Sequence, residues 1–337
     1  MRGGDSQRAA INYLRAAEDS LASGNLLGTL HLVEQGLKCA PDEALCAELK
    51  SRECYAAMAL DRLDLAASTA EFAILRLPPG SLGWCRVIIG ALVGAMSRQN
   101  MPRSFELIAQ TLSTEPHEDA RATYSEVLTI IIIATIASLP GSFLQTLLAK
   151  LAANTARAEA NNPLVRRYLH SARSFLAMMR VPRPWTCIQE SLRTSAISRQ
   201  AGDPLIDIPA RIIGSEWGWF EVGDFEGVER RLRAHGAEIA SCQSIVNVVH
   251  FRHALARVLC ERPDEGSWAE AEALILPIRR TEGGHSLYPV LAQNILARIA
   301  FLRGQFQEAE TLSRTLMQQF PADAVWLMNA ASIQMRA

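Results

Sequence analysis

The stretch "FLRGQFQEAETLSRTLMQQFP", residues 301–321, sets a glycine at 304 and a proline at 321, with a small residue, Ala309, between them. The same arrangement stands near the other end of the chain, in "LASGNLLGTLHLVEQGLKCAP", residues 21–41, with Gly24 and Pro41 in those roles. Glycine breaks a helix and turns the chain, and proline ends the next helix because it cannot continue the hydrogen-bond ladder. A small side chain suits the place where two helices cross closely. Each stretch therefore predicts a helical hairpin.

The pattern continues inward from both ends. The first unit has Ala16, Ala17 and Ser20 before the turn. A second has Cys54, Ala57, Ala66, Ala70 and Ala73 and ends at Pro78, with Asp61 in place of the turn glycine. A third has Leu92, Ala95, Ser104 and Ile108 and ends at Pro116. The prolines at 41, 78 and 116 are spaced by 37 and 38 residues. A fourth fit, "IIGSEWGWFEVGDFEGVERRLRAHG", puts Gly223 at the turn and Trp219 at an aromatic position. In the last unit Gln293, Leu296, Ala297 and Ala300 fall on the first helix, and Ala309 and Ser313 on the second. "ILARIAFLRGQFQEAETLSRTLMQQFP" resembles a tetratricopeptide repeat with both aromatic positions lost, and the chain as a whole resembles a degenerate member of that family. The resemblance implies an all-α solenoid of antiparallel hairpins, with about 15–17 helices and an extended concave surface.

Between residues 120 and 201 helices are expected over 118–138, 142–160, 163–180 and 185–201, without a clean motif. The breakers "ANNP" (160–163) and "VPRPW" (181–185) predict a kink or boundary near 160–185. This divides the chain into N-terminal repeats over 1–160 and C-terminal repeats over 161–337.

Composition narrows the function classes. Of the 337 residues 49% are apolar, enough for a large core, and the net charge is −1. No overall field recruits nucleic acid or an anionic membrane. The seven cysteines form no C-x-x-C, so neither a disulfide framework nor a zinc knuckle is suggested. The start "MRGGDSQRAAINYL" lacks the apolar core of a secretory signal, and a cytoplasmic setting is expected. "VLTIIIIATIASL" (127–139) is shorter than the about 20 residues a bilayer span requires, and reads as a buried helix.

No phosphate loop, dinucleotide fingerprint or nucleophile elbow is present. "IIGSEWG" has the wrong spacing for G-x-S-x-G and reads as helix. His250 and His253 share a helical face but lack further ligands nearby, so no metal is expected, and no cofactor. Two groups of residues are candidate partner contacts. Over residues 157–199 the local charge is +6, and Arg166, Arg173 and Arg180 recur every seven residues with His170 between them. Such a stripe can clamp carboxylates, although acidic residues on adjacent helices, such as those in "EPHEDA", could pair with it instead. Trp217 and Phe220 lie three apart on one helical face. Interleaved aromatics are few near the stripe, so nucleic acid is not an expected partner. The resemblance implies a non-enzymatic adaptor or regulator that binds a protein or peptide, acidic if the stripe serves it. The alternative is a peptide- or ligand-sensing module of a bacterial signalling or transcription-regulatory system.

Overall fold

The structure is a computed structural model that describes residues 3–98, 100–136, 140–179, 183–241, 244–279 and 287–319. Its regular elements are helices, arranged as eight successive antiparallel hairpins among the described residues. The first five are α1 (Gly3–Ala22) with α2 (Leu26–Lys38), α3 (Glu43–Ala59) with α4 (Leu63–Ile74), α5 (Leu82–Ser97) with α6 (Met101–Ser113), α7 (Arg121–Thr135) with α8 (Gly141–Glu159), and α9 (Arg166–Met179) with α10 (Pro184–Gln200). The sixth opens with a composite helix: α11 (Pro204–Pro209), a π-helical segment (Ala210–Ser215) and α12 (Glu216–Glu221). It returns along α13 (Phe225–Ser241). The last two are α14 (Ile245–Leu259) with α15 (Glu265–Arg279) and α16 (Leu287–Leu302) with α17 (Phe306–Gln319). The chain is an all-α solenoid of helical hairpins.

Local chemistry sets the turns. Gly24, Gly223 and Gly304 take φ of 75°, 88° and 75°, the left-handed conformation that glycine reaches at least cost. Asp61 takes the same slot at φ 59°, which aspartate tolerates better than most residues. Helix starts are capped in register: the Asn25 carboxamide accepts from the Gly28 amide and the Asp42 carboxylate from the Leu45 amide. Pro41, Pro78 and Pro116 follow α2, α4 and α6 within four residues of the helix end. Pro321 lies outside the described residues.

The residues expected at the helix crossings are buried there. Cys54, Ala57, Ala66, Ala70 and Ala73 pack into the largest apolar cluster, and Ala297 and Ala309 are fully covered. Ala309→Leu is expected to overpack the α16–α17 crossing and cost about 2 kcal/mol, read as a lower thermal midpoint. The isoleucine-rich run forms the buried face of α7, through Val127, Leu128, Ile131 and Ile132. No described helix is long and apolar enough to cross a membrane.

Two large apolar clusters fill the stack. One runs from Ala47 in α3 to Ala172 in α9, and the other from Ile208 in α11 to Ile299 in α16. Between them lies a narrow seam of small side chains. Ser174 of α9 and Ser191 of α10 touch hydroxyl to hydroxyl at 2.5 Å, and the Cys187 thiol donates to the Gly214 carbonyl at 3.2 Å. Cys187, Ile188, Glu190, Ser191, Thr194, Ser195 and Ser198 form the buried face of α10. That face is covered but scarcely apolar.

Ion pairs between neighbouring hairpins carry the repeat period. Arg103–Glu71, Arg76–Glu43, Arg262–Glu229, Arg257–Glu221, Arg233–Glu270 and Arg303–Glu265 join residues 32 to 38 apart in sequence. Exposed pairs of this kind contribute about 0–1 kcal/mol each, so they fix register while apolar burial holds the stack.

Candidate functional site

Along the N-terminal hairpins the first helices, α1, α3, α5, α7 and α9, pack on one another in turn, whereas α2, α4, α6 and α8 scarcely meet. The odd-numbered helices thus form the inner layer. Their inner face carries charge and hydroxyls.

Glu18 of α1, Arg52 of α3 and Arg86 of α5 occupy the same place in three consecutive hairpins, 34 residues apart. The Arg86 guanidinium grips the Glu18 carboxylate with both terminal nitrogens, at 2.7 and 2.5 Å, and Arg52 Nε adds a third contact at 2.9 Å. About a tenth of each arginine side chain is exposed. Burial pushes the Glu18 carboxyl up, but Arg86 and Arg52 outweigh it and hold it below the ordinary range.

The same face continues through α7 and α9. Tyr55 of α3 donates its hydroxyl to Glu126 Oε1 at 2.5 Å, and Tyr168 of α9 donates to Glu126 Oε2 at 3.3 Å. Arg167 donates to the Tyr168 hydroxyl at 3.1 Å and pairs with Asp203 at 3.3 Å. Glu126 is half-buried at the foot of this face. Burial pushes its carboxyl up to about 7; Asp203 pushes the same way, and Tyr55, Arg167 and Arg86 oppose. Burial likewise drives both tyrosine hydroxyls well above their ordinary value, so they stay protonated and act as donors.

The expected contact residues are dispersed. Arg166 is half-exposed and pairs with Glu159 at 3.1 Å. His170 Nδ1 lies 2.6 Å from Glu190, which also takes Arg193 at 2.7 Å. Arg173 is exposed and makes no ion pair among the described residues; Arg180 lies outside them. Glu115 of "EPHEDA" pairs with Arg157 at 2.8 Å, so much of the local positive charge is compensated within the chain. Trp217 and Phe220 go to different places. Trp217 packs on the cluster of Ala177, Met178 and Cys187, whereas Phe220 meets Phe225 at 5.0 Å and lies under Arg257 at 3.8 Å. The His253 ring is enclosed beside Arg257 and His250; burial and those neighbours drive it down to about 3 and keep it neutral. No group of three or more potential metal ligands occurs among the described residues.

Glu126, Tyr55, Arg86 and Glu18 were not expected contact residues. The available signal was the recurrence of charge at 18, 52 and 86, one tetratricopeptide period apart.

No protein-family model matches the chain, and no curated protein does. Among solved structures, the crystal structure of the P58(IPK) TPR domain is similar over 97% of this chain and 98% of its own, at 10% identity and a TM-score of 0.31. The assignment as a helical-repeat solenoid rests on the chain's own hairpins.

Proposed function

We propose that this protein is a non-enzymatic interaction scaffold that holds a segment of a partner protein against its inner face. The observation that carries this reading is the inner layer itself: α1, α3, α5, α7 and α9 place Glu18, Arg52, Tyr55, Arg86, Glu126 and Tyr168 along one surface. Charged and hydroxyl groups on an inner layer cost desolvation energy that an apolar lining would avoid. Held by hydrogen bonds across hairpins, they are preorganised donors and acceptors for a bound chain. The described cysteines are free thiols, which suits a reducing cytoplasmic setting.

Site-specific photo-crosslinking tests the reading. Ile130 lies one helical turn from Glu126 on α7, and Leu75, at the end of α4, is highly exposed on the outer layer. A photoreactive residue at 130 is expected to capture a partner protein that one at 75 does not. Equal capture at both places would remove the inner face as the docking surface.

Arg173, which makes no ion pair among the described residues, favours a second contact, to an acidic partner segment, beside that face. The double variant Arg166→Glu, Arg173→Glu is expected to fold normally, because the exposed Arg166–Glu159 pair contributes at most about 1 kcal/mol. Partner capture should weaken and become less sensitive to salt. Unchanged capture by a folded double variant would exclude the stripe.

A further inference from the structure

Within that scaffold reading, we infer that Glu126 is a receptor for a cationic side chain, so that the inner face takes a partner segment bearing a lysine or arginine. The charges on this face do not balance. Arg86 is committed to Glu18 by a two-nitrogen contact, Arg52 is shared between Glu18 and Glu48, and Arg167 pairs with Asp203. Each guanidinium already has its carboxylate. Glu126 is the odd one: among the described residues it is hydrogen-bonded only to the neutral hydroxyls of Tyr55 and Tyr168.

The groups facing Glu126 are Tyr55 from α3, Arg86 from α5, Tyr168 and Arg167 from α9, and Asp203 from the turn before α11. With Glu126 ionised, the four carboxylates of Glu18, Glu48, Glu126 and Asp203 face the three guanidiniums of Arg52, Arg86 and Arg167, which leaves one net negative charge. Proton uptake removes it, and so would an ammonium or guanidinium group from outside. Glu126 is half-buried, so part of the residue lies at the surface of this face. The two tyrosine hydroxyls hold both carboxylate oxygens in place. The Arg167 guanidinium already lies over the Tyr168 ring at 4.5 Å, so an incoming cation is held by the carboxylate rather than by that aromatic face.

Binding of the cation is therefore linked to loss of a proton from Glu126. With the carboxyl near 7, the ionised fraction rises about tenfold between pH 6 and pH 8, and affinity should rise with it. The test compares short synthetic peptides of matched neutral composition carrying either two lysines or two glutamates. Binding is followed by fluorescence anisotropy at both pH values. The wild-type chain is expected to bind the lysine peptides roughly tenfold more tightly at pH 8 than at pH 6. Glu126→Gln keeps the shape and an acceptor for one tyrosine hydroxyl; it should bind them weakly, with no pH dependence. Glu126→Asp keeps the charge and should retain the pH response. Lysine-peptide binding that ignores pH or survives Glu126→Gln unchanged overturns the inference and leaves the scaffold reading standing. Preference for the glutamate peptides overturns it in favour of the Arg173 surface. Failure of every lysine peptide to bind also overturns it, and photo-crosslinking at 130 then decides the scaffold reading separately.

Discussion

Gly214→Val is expected to destabilise the protein by about 3 kcal/mol, the upper end of what overpacking a close-packed interior costs. Helix propensity alone predicts the opposite sign, because glycine inside a helix is about 0.5–1 kcal/mol worse than alanine. Packing decides the outcome. A β-carbon at 214 would fall inside the van der Waals envelope of Ser191 Oγ and within 3.0 Å of Ser174 Oγ. Those two hydroxyls are themselves in contact, so neither can move aside without breaking their hydrogen bond. The π-helical segment presses Gly214 onto α10, and the Cys187 thiol donates to its carbonyl. The double variant Gly214→Ala, Ser191→Ala separates the causes. Removing the serine oxygen should restore most of the stability lost in Gly214→Ala alone, measured by urea denaturation. Absence of rescue would mean that the clash is with the Ser174 hydroxyl or the β-carbon at 191 rather than with this hydroxyl.

This seam also explains where the sequence stopped being readable. The outer hairpins announce themselves because turn residues and crossing residues are chemically distinct: Gly24, Gly223 and Gly304 at positive φ, alanines at the crossings and prolines just past the helix ends. Asp61 fits the turn slot because aspartate tolerates the left-handed region. Through α10 the signal fades, since most of its buried face is Ser191, Thr194, Ser195 and Ser198, beside Cys187, Ile188 and Glu190. A helix buried through hydroxyls has no apolar stripe to detect. The candidate site was harder still. Arg166, His170 and Arg173 are conspicuous as a local excess of charge, yet the pairs of Arg166 with Glu159 and His170 with Glu190 consume much of it. Glu126 is an isolated carboxylate between apolar residues of α7. Its partners, Tyr55 and Tyr168, stand 71 and 42 residues away in sequence, and the packing of the odd-numbered helices brings them together.

Glu126→Gln should make the protein more stable at neutral and alkaline pH, by up to about 3 kcal/mol. An unperturbed glutamate titrates near 4.5 and Glu126 near 7, and that difference sets the size of the effect. Below pH 4.5 the carboxyl is protonated in both the folded and the unfolded chain, and it imposes no electrostatic cost. Between 4.5 and 7 the unfolded chain releases the proton while the folded chain keeps it, so stability from this group falls as pH rises. Above 7 the folded protein carries an ionised carboxylate in a poorly solvated place, and the full cost applies. Glutamine has the same shape, accepts from one tyrosine hydroxyl and never ionises. The variant and the wild type should therefore have similar urea midpoints at pH 4 and diverge progressively to pH 8. Glu18 titrates in the opposite sense, held low by Arg86 and Arg52, but it is present in both proteins and cancels in the comparison. Parallel midpoints across the whole range would show that Glu126 is well solvated and ionised at pH 7. The predicted divergence has a consequence for the site. Departures from the most stable choice are expected at functional sites, and in the proposed complex a cation delivered by a partner would offset the cost that Glu126 imposes on the free scaffold.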